Sequence, residues 1–303
     1  MSGVDAQHKE LSELEAQIRY HEQLYRDGKP EISDAVFDDL VDRYAELADA
    51  LGVTQQRPDQ KPGDDHTEGF AQVEHVVPML SLEKLTPNRR DSKGAAVPML
   101  EQLAQWVERR RKDLELPASA ALLLVIEPKI DGISVSLLYE SGKLRRAVTR
   151  GDGRKGDDIT KQIKQARAVP LELPGLKGKL EVRGELYWPR PAFDAWNAQL
   201  RAAGQETIAN PRNGCAGMVK RKEIQGLEDV GIRSFLYGVP WTEGVKLPAS
   251  QSQILAWLAE LGAPVYTDLI ATAEGATEAI AACEAFGARR GGLVFDTDGM
   301  VIK

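Results

Sequence analysis

At Ala121 the chain changes its hydrophobic period, and that change bounds the fold. Before it, apolar residues recur at helical spacing; after it, they come in strand-length runs separated by turn signals. Ala121–Glu127 is a continuous apolar run. Ser134–Tyr139 is strand-like, Glu140-Ser141-Gly142 is a turn, and Lys143–Arg150 reads as the return strand. Leu180–Trp188, Phe235–Val239 and Leu293–Lys303 are further predicted strands, with helices over Phe193–Ala203 and Gln251–Leu261. Hairpin-linked strands with only occasional helices between them predict a mixed α+β fold with largely antiparallel pairing, not a βαβ alternation.

Residues 5–52 supply the helical part. Leu11, Leu14, Ile18 and Tyr25 recur at helical spacing, and Asp27-Gly28-Lys29-Pro30 reads as a turn. Ser33 is placed to cap a second helix, with Asp34 in its first turn. Val36, Phe37, Leu40, Val41, Tyr44, Leu47 and Leu51 form its apolar face. The expectation is an N-terminal helical hairpin, a module of its own. Residues 53–74, rich in Pro, Gly, Asp and Gln, read as a linker, and Thr86–Pro98 as a polar loop. A helix is expected over 99–113, with Leu100, Leu103 and Trp106 on one side.

Composition narrows the function classes. At 303 residues, roughly two domains are expected. Two cysteines, Cys215 and Cys283, are too few for a disulfide scaffold or a four-thiolate zinc site, and suit a reducing cytoplasm. No apolar run approaches the ~20 residues that span a membrane, and the N-terminus is too polar for a signal peptide. The net charge is −7, so nucleic-acid binding needs a local basic patch. Lys143 to Arg167, with nine Lys/Arg against three Asp, is the best candidate.

Five segments carry chemistry. Glu127-Pro128-Lys129-Ile130-Asp131-Gly132 sends a lysine from the end of an apolar strand into an Asp-Gly turn. Such a lysine can sit at a pocket floor; a surface lysine beside a turn is the plainer reading. K-x-D-G alone arises by chance in about one chain in fifteen of this length. Arg150-Gly151-Asp152-Gly153 is a glycine-rich turn whose backbone can approach a phosphate, or simply a solvated hairpin end. Glu181, Arg183 and Glu185 alternate with Val182 and Leu186, so their face is either exposed or lines a nucleotide pocket. Asn210-Pro211-Arg212-Asn213-Gly214 reads as a loop displaying a guanidinium and two amides. Phe295–Lys303 is a strand ending in lysine, on which Asp298 and Lys303 stand an odd number of steps apart and need not share a face.

Taken together and in this order, the five segments resemble the nucleotidyltransferase domain of the NAD-dependent DNA ligases. Lys129-Ile130-Asp131-Gly132 matches that family's nucleophile motif. Arg150-Gly151-Asp152-Gly153, Arg183-Gly184-Glu185, Asn210-Pro211-Arg212-Asn213 and Asp298-Gly299 through Lys303 match its other motifs. His75-Val76-Val77-Pro78-Met79-Leu80-Ser81-Leu82 resembles its H-x-x-P-M-L-S-L segment. Tyr25, Pro30-Glu31-Ile32, Asp34, Phe37 and Asp38 resemble the N-terminal module that grips the nicotinamide mononucleotide half of NAD, which ATP-dependent ligases lack. Three positions depart: Arg26 stands where the family has histidine, Phe37 where it has tyrosine, and Lys220 where it tends to have arginine.

The resemblance implies a nucleotidyltransferase fold, described as ATP-grasp-like, with the mononucleotide module over 1–60 and the adenylation domain over 61–303. It implies that Lys129 takes AMP from NAD, releasing nicotinamide mononucleotide, as the first step in sealing nicks between a 5′-phosphate and a 3′-hydroxyl. The Lys129 amine would be deprotonated by nearby positive charge, from Mg²⁺ or Lys303, or by desolvation. Lys303 and the metal would offset phosphate charge. Asp131 and Asp298 would order the lysine and metal-bound waters, with Glu185 near them contacting the ribose and Glu127 meeting adenine. Ser81-Leu82 would wall the base, and Arg150, Arg212 and Arg290 would hold ribose or phosphates. Tyr25, Arg26, Asp34, Phe37 and Asp38 would hold the mononucleotide half. The expected partner is nicked duplex DNA in a full-length enzyme, bound weakly by this N-terminal adenylation fragment, a cytoplasmic monomer without membrane contact. The family's further lysine, oligonucleotide-binding barrel and zinc element would lie beyond residue 303. An alternative from another class is a catalytically weak module of ligase fold that binds a nucleotide or a nucleic-acid end. An ATP- or GTP-using nucleotidyltransferase is disfavoured by the helical hairpin.

Overall fold

The computed structural model describes residues 3–26, 31–32, 34–53, 67, 69–87, 89–90, 94–117 and 119–303, and only the backbone of residues 3–6, 25–26, 34–35, 38, 42, 46 and 49. The predicted turn at Asp27–Pro30, the Ser33 cap and most of the 53–74 linker lie outside the described residues. The chain forms two compact units: Met1–Ser81 with Arg150–Asp157, and Leu82–Thr149 with Asp158–Lys303.

The first unit holds helices α1 (Gly3–Arg26) and α2 (Asp34–Ala50) and the short strands β1 (Gln72–Glu74) and β5 (Lys155–Asp157). Leu11, Leu14 and Ile18 of α1 bury against Tyr44, Leu47 and Ala48 of α2, with Phe37, Leu40 and Val41 half-buried beside them. Arg43 donates to Glu10 at 2.8 Å. Val36, expected on the apolar face, is exposed. β1 and β5 pair antiparallel, with Val73 opposite Gly156. Asp157, fully buried, accepts bonds from the Thr67 backbone N–H and the Gln72 side chain.

The second unit contains two antiparallel sheets. One has the order β8-β2-β9, from β2 (Leu123–Ile130), β8 (Ala271–Glu274) and β9 (Thr297–Ile302). The other has the order β4-β3-β6-β7, from β3 (Ile133–Glu140), β4 (Lys143–Thr149), β6 (Lys179–Tyr187) and β7 (Arg233–Glu243). Helices α3 (Met99–Asp113) and α8 (Gly275–Arg289) cover the first sheet; Leu103 and Val107 pack with Leu124, Ile126 and Ala279. Leu100 is exposed, so the buried stripe of α3 runs through Gln102, Leu103 and Val107 instead. The Gln102 amide reaches in to bond the backbone of Thr86 and Val97, pinning the ends of the 86–97 loop. A second core joins Ile130, Tyr187, Phe235, Phe286 and Phe295.

Three further helices, α4 (Thr160–Ala166), α5 (Arg190–Ala202) and α7 (Gln251–Glu260), are joined by a fourth, α6 (Pro211–Val219), where the sequence reading expected a loop. Asn210 is the N-cap of α6, its Oδ1 accepting the Asn213 N–H at 2.8 Å, and Pro211 occupies the first turn, where its missing N–H costs nothing. The Leu293–Lys303 strand is shorter than expected, beginning at Thr297. Among the described residues, no helix is long and apolar enough to cross a membrane.

Candidate active site

β2 and β9 set the geometry. Val125 and Lys303 exchange both backbone hydrogen bonds at 2.9 Å, and from that pair Glu127 lies opposite Val301 and Lys129 opposite Gly299. Directly paired residues share a face of an antiparallel ladder, so Glu127, Lys129 and Lys303 stand on one face. The next pair is Ile130 with Thr297, which leaves Asp298 as an extra residue in β9. Such a bulge re-aims a side chain. Here it brings Asp298 Oδ2 to 2.6 Å from Lys129 Nζ. Lys129 therefore lies inside β2 rather than past its end, with Pro128 before it. β8 pairs with β2 only as far as Ile126, so Pro128 withholds its N–H from no ladder partner on that side.

The Asp-Gly that follows has a tight neighbour. A Cβ on Gly132 would lie 2.2 Å from the Leu186 carbonyl oxygen and 3.0 Å from Glu185 Cγ. The glycine thus lets β3 start directly against β6. Asp131 is then held on two sides: its N–H donates to the Asp296 carbonyl at 2.9 Å, and its Oδ1 accepts from Arg212 at 3.1 Å. Arg212 reaches it from the first turn of α6. Burial lifts the Asp131 carboxyl above the usual range; Arg212 pulls it back, and Asp298 pushes it further up.

The charged face of β6 is turned inward. Glu185 is opposite Ser134 and accepts its hydroxyl at 3.0 Å; Glu181 accepts Ser136 Oγ at 2.9 Å and Arg183 Nε at 3.3 Å. Burial pushes Glu185 up to about 7, against the opposing pull of Ser134, Arg212 and Lys129. The sequence left this face either exposed or lining a pocket; Glu181, at 3% exposure, excludes the first.

Glu127 is 1% exposed and accepts Lys303 Nζ at 2.9 Å. That ammonium also donates to the Tyr237 carbonyl and lies 5.0 Å from the Tyr237 ring centre. Burial lowers the pKa of Lys303, and the Glu127 charge opposes the drop. Arg290, at the end of α8, donates to the Thr297 carbonyl beside the bulge.

In the first unit, Arg150 donates to the Met79 carbonyl at 3.1 Å and to Ser81 Oγ at 3.0 Å. Asp152 Oδ1 accepts the N–H groups of Arg154 and Lys155, closing the glycine turn. Phe37 is half-buried on the helix core. Leu82, in the second unit, is exposed. The side chains of Tyr25, Arg26, Asp34 and Asp38 lie outside the described residues.

A family model for the NAD-dependent DNA ligase adenylation domain matches residues 67–303. The chain belongs to that family. It is 35% identical to the DNA ligase of Xanthomonas euvesicatoria pv. vesicatoria over 304 aligned residues, 99% of this chain and 34% of the relative. It is 38% identical to that of Roseiflexus castenholzii over 306 residues, 96% of this chain and 40% of the relative. With the DNA ligase of Methylococcus capsulatus the identity is 35%, over 96% of this chain and 42% of the relative. The chain thus spans about a third to two fifths of the length of these curated relatives.

Within this adenylation domain, the structure gathers Lys129, Asp131, Glu185, Arg212 and Asp298 into one connected set, and Glu127 with Lys303 into another on the same β2–β9 ladder. Ser134, Tyr237 and Gln251 also bond to these residues and were not singled out by sequence. Ser134 stands two residues past the K-x-D-G glycine and directly opposite Glu185, a register that the predicted hairpins did not fix.

Proposed function

We propose that this chain is the adenylation part of an NAD-dependent DNA ligase and that Lys129 carries the AMP. The observation that supports this most is the Lys129–Asp298 contact on a ladder that also presents Glu127 and Lys303. An ammonium has no lone pair, so Lys129 must first lose a proton, and Asp298 is the acceptor within hydrogen-bond reach. The neutral amine attacks the α-phosphorus of NAD. A phosphorus–nitrogen bond forms, the bond to the bridging pyrophosphate oxygen breaks, nicotinamide mononucleotide leaves, and the second amine proton goes to solvent. Lys303 offsets charge on the α-phosphate, Glu127 meets adenine, Glu185 meets the ribose, and Arg150, Arg212 and Arg290 bind ribose or phosphates. Ser81 and Leu82 border the base.

We assign residues 1–60 to binding the mononucleotide half, through Tyr25, Arg26, Asp34, Phe37 and Asp38, and 61–303 to adenylyl transfer. Among the described residues no three His, Cys, Asp or Glu side chains form a metal cage. Mg²⁺ needs only one or two carboxylates besides phosphates and water. Asp131, Glu185 and Asp298 fit that need: burial lifts the first two above the usual range, and the Asp298 charge adds to the rise at Asp131 as Asp131 does at Glu185. When bound, the ion would neutralise phosphate charge. Nicked duplex DNA is the proposed substrate of the full-length enzyme.

The test is incubation of the chain with NAD or ATP. The reading expects one equivalent of nicotinamide mononucleotide released from NAD, none from the Lys129→Ala variant, and no comparable charging by ATP. Charging from ATP at the NAD rate would overturn the donor assignment.

A further inference from the structure

The Lys303–Glu127 pair is one side of a closed ring of hydrogen bonds. Lys303 Nζ donates to Glu127 Oε2 and to the Tyr237 carbonyl, both at 2.9 Å. Gln251 Nε2 donates to the other carboxylate oxygen, Glu127 Oε1, at 2.9 Å, and to the same Tyr237 carbonyl at 2.8 Å. Two donors alternate with two acceptors. The members come from β2, β7, the first residue of α7 and the residue after β9.

The chemistry of the partners fixes the orientation of the glutamine. A carboxylate and a backbone carbonyl both accept, so only the NH₂ end of Gln251 can face them. α7 is already capped by Ser250, which accepts the Gln253 N–H, so Gln251 is not needed to start the helix. Its amide instead spans from a strand backbone to a buried charge. Glu127 has almost no access to water, so its carboxylate oxygens take their hydrogen bonds from the protein. Lys303 alone would leave the carboxylate free to turn about its last torsion, and the ammonium, anchored otherwise at the Tyr237 carbonyl, would pivot on that one bond. A second donor, itself tied to the Tyr237 carbonyl, fixes the carboxylate plane and with it the position of Nζ.

We propose that Gln251 is a positioning residue for adenylyl transfer, holding the Glu127 carboxylate and, through it, the Lys303 ammonium. This rests on the reading that Lys129 accepts AMP from NAD.

The test uses the whole chain and three variants: Gln251→Leu, which removes both donors; Gln251→Glu, which keeps the shape and replaces donors by acceptors; and Gln251→His, which restores a ring N–H. The rate of AMP-adduct formation is read by intact mass at saturating NAD across a pH series, with folding checked by circular dichroism. Gln251→Leu should charge on the order of 10-fold more slowly, or worse, as expected when a reacting group is misplaced. Gln251→His should recover most of the loss. In Gln251→Glu the new carboxyl faces Glu127 from β2 and Lys303 after β9, while β7 offers only the Tyr237 carbonyl and ring. Protonated, it can donate to Glu127; ionised, it repels it. The ratio of its rate to wild type should therefore rise as pH falls. A folded Gln251→Leu that charges at the wild-type rate, or a Gln251→Glu ratio flat with pH, overturns the positioning role and leaves the Lys129 assignment standing. Where Gln251→Leu fails to fold, the Gln251→Glu ratio alone decides. A wild-type chain that does not charge at all overturns the function reading, and this inference with it.

Discussion

Lys129 and Asp298 are 169 residues apart in sequence and 2.6 Å apart at Nζ and Oδ2, because β9 carries one residue more than β2 where they meet. The bulge depends on Gly299, whose φ of +151° is a conformation that L side chains rarely adopt.

Gly299→Ala should therefore weaken both stability and charging. Beyond its two chain neighbours, nothing stands within 4 Å of the added Cβ, so the penalty is backbone strain, about 1–3 kcal/mol. A lowered melting temperature with slower adduct formation is the expected result. An unchanged melt together with unchanged charging would mean that the bulge does not set the Lys129–Asp298 contact.

Two other glycines should respond in opposite directions. Gly132→Ala forces a Cβ onto the Leu186 carbonyl and should destabilise by about 1–3 kcal/mol or more. Gly287, within α8, has open space around it, and Gly287→Ala should stabilise by roughly 0.5–1 kcal/mol through helix propensity. Paired chemical-denaturation curves distinguish the two. If both changes destabilise alike, crowding at β3–β6 is not what requires Gly132.

Glu185 makes stability depend on pH. Its folded pKa is raised from 4.5 to about 7, so its contribution is fully present below the unfolded value and is lost as pH rises through the folded one. Glu185→Gln keeps the shape without the charge. Its unfolding free energy, from denaturation curves at each pH, should match wild type at about pH 4.5 and below and exceed it increasingly up to about pH 7, then level off, the gap reaching at most roughly 3 kcal/mol. A gap that shrinks with rising pH would show that the carboxylate is stabilised rather than penalised in its site.

The antiparallel hairpins and the strongly periodic helices are legible in the sequence, because strand-length apolar runs between turn signals and helical spacing are local signals. β8 and α8 are not, because an alanine-rich stretch, Ala271 to Ala288, gives little contrast between faces. Asn210-Pro211 reads as a loop, although the same pair is a helix start when a donor three residues on meets the asparagine. Parity along β9 leaves it open whether Asp298 and Lys303 share a face, because a bulge is invisible without the partner strand. Gln251 carried no signal: a polar residue at a helix start is ordinary, and its meaning appears only once β2, β7 and β9 converge on it.

Among the described residues, the two second-unit cores built around Leu124 and around Ile130 include none before Leu85, and the helix pair has a core of its own. Deleting residues 1–52 should thus leave that unit folded and able to bind AMP while abolishing charging from NAD. Arg26→His, which restores the family's usual residue, should raise the charging rate if Arg26 weakens the site. Undiminished NAD charging by the truncated chain would remove the mononucleotide-binding role from the helices.

The most direct measurement is the location of the AMP. After incubation with NAD and Mg²⁺, intact mass should show a single adenylyl adduct, and peptide mapping should place it on the Lys129 side chain, with none formed by Lys129→Ala. An adduct on another lysine, or full labelling of the Lys129→Ala chain, would contradict the account.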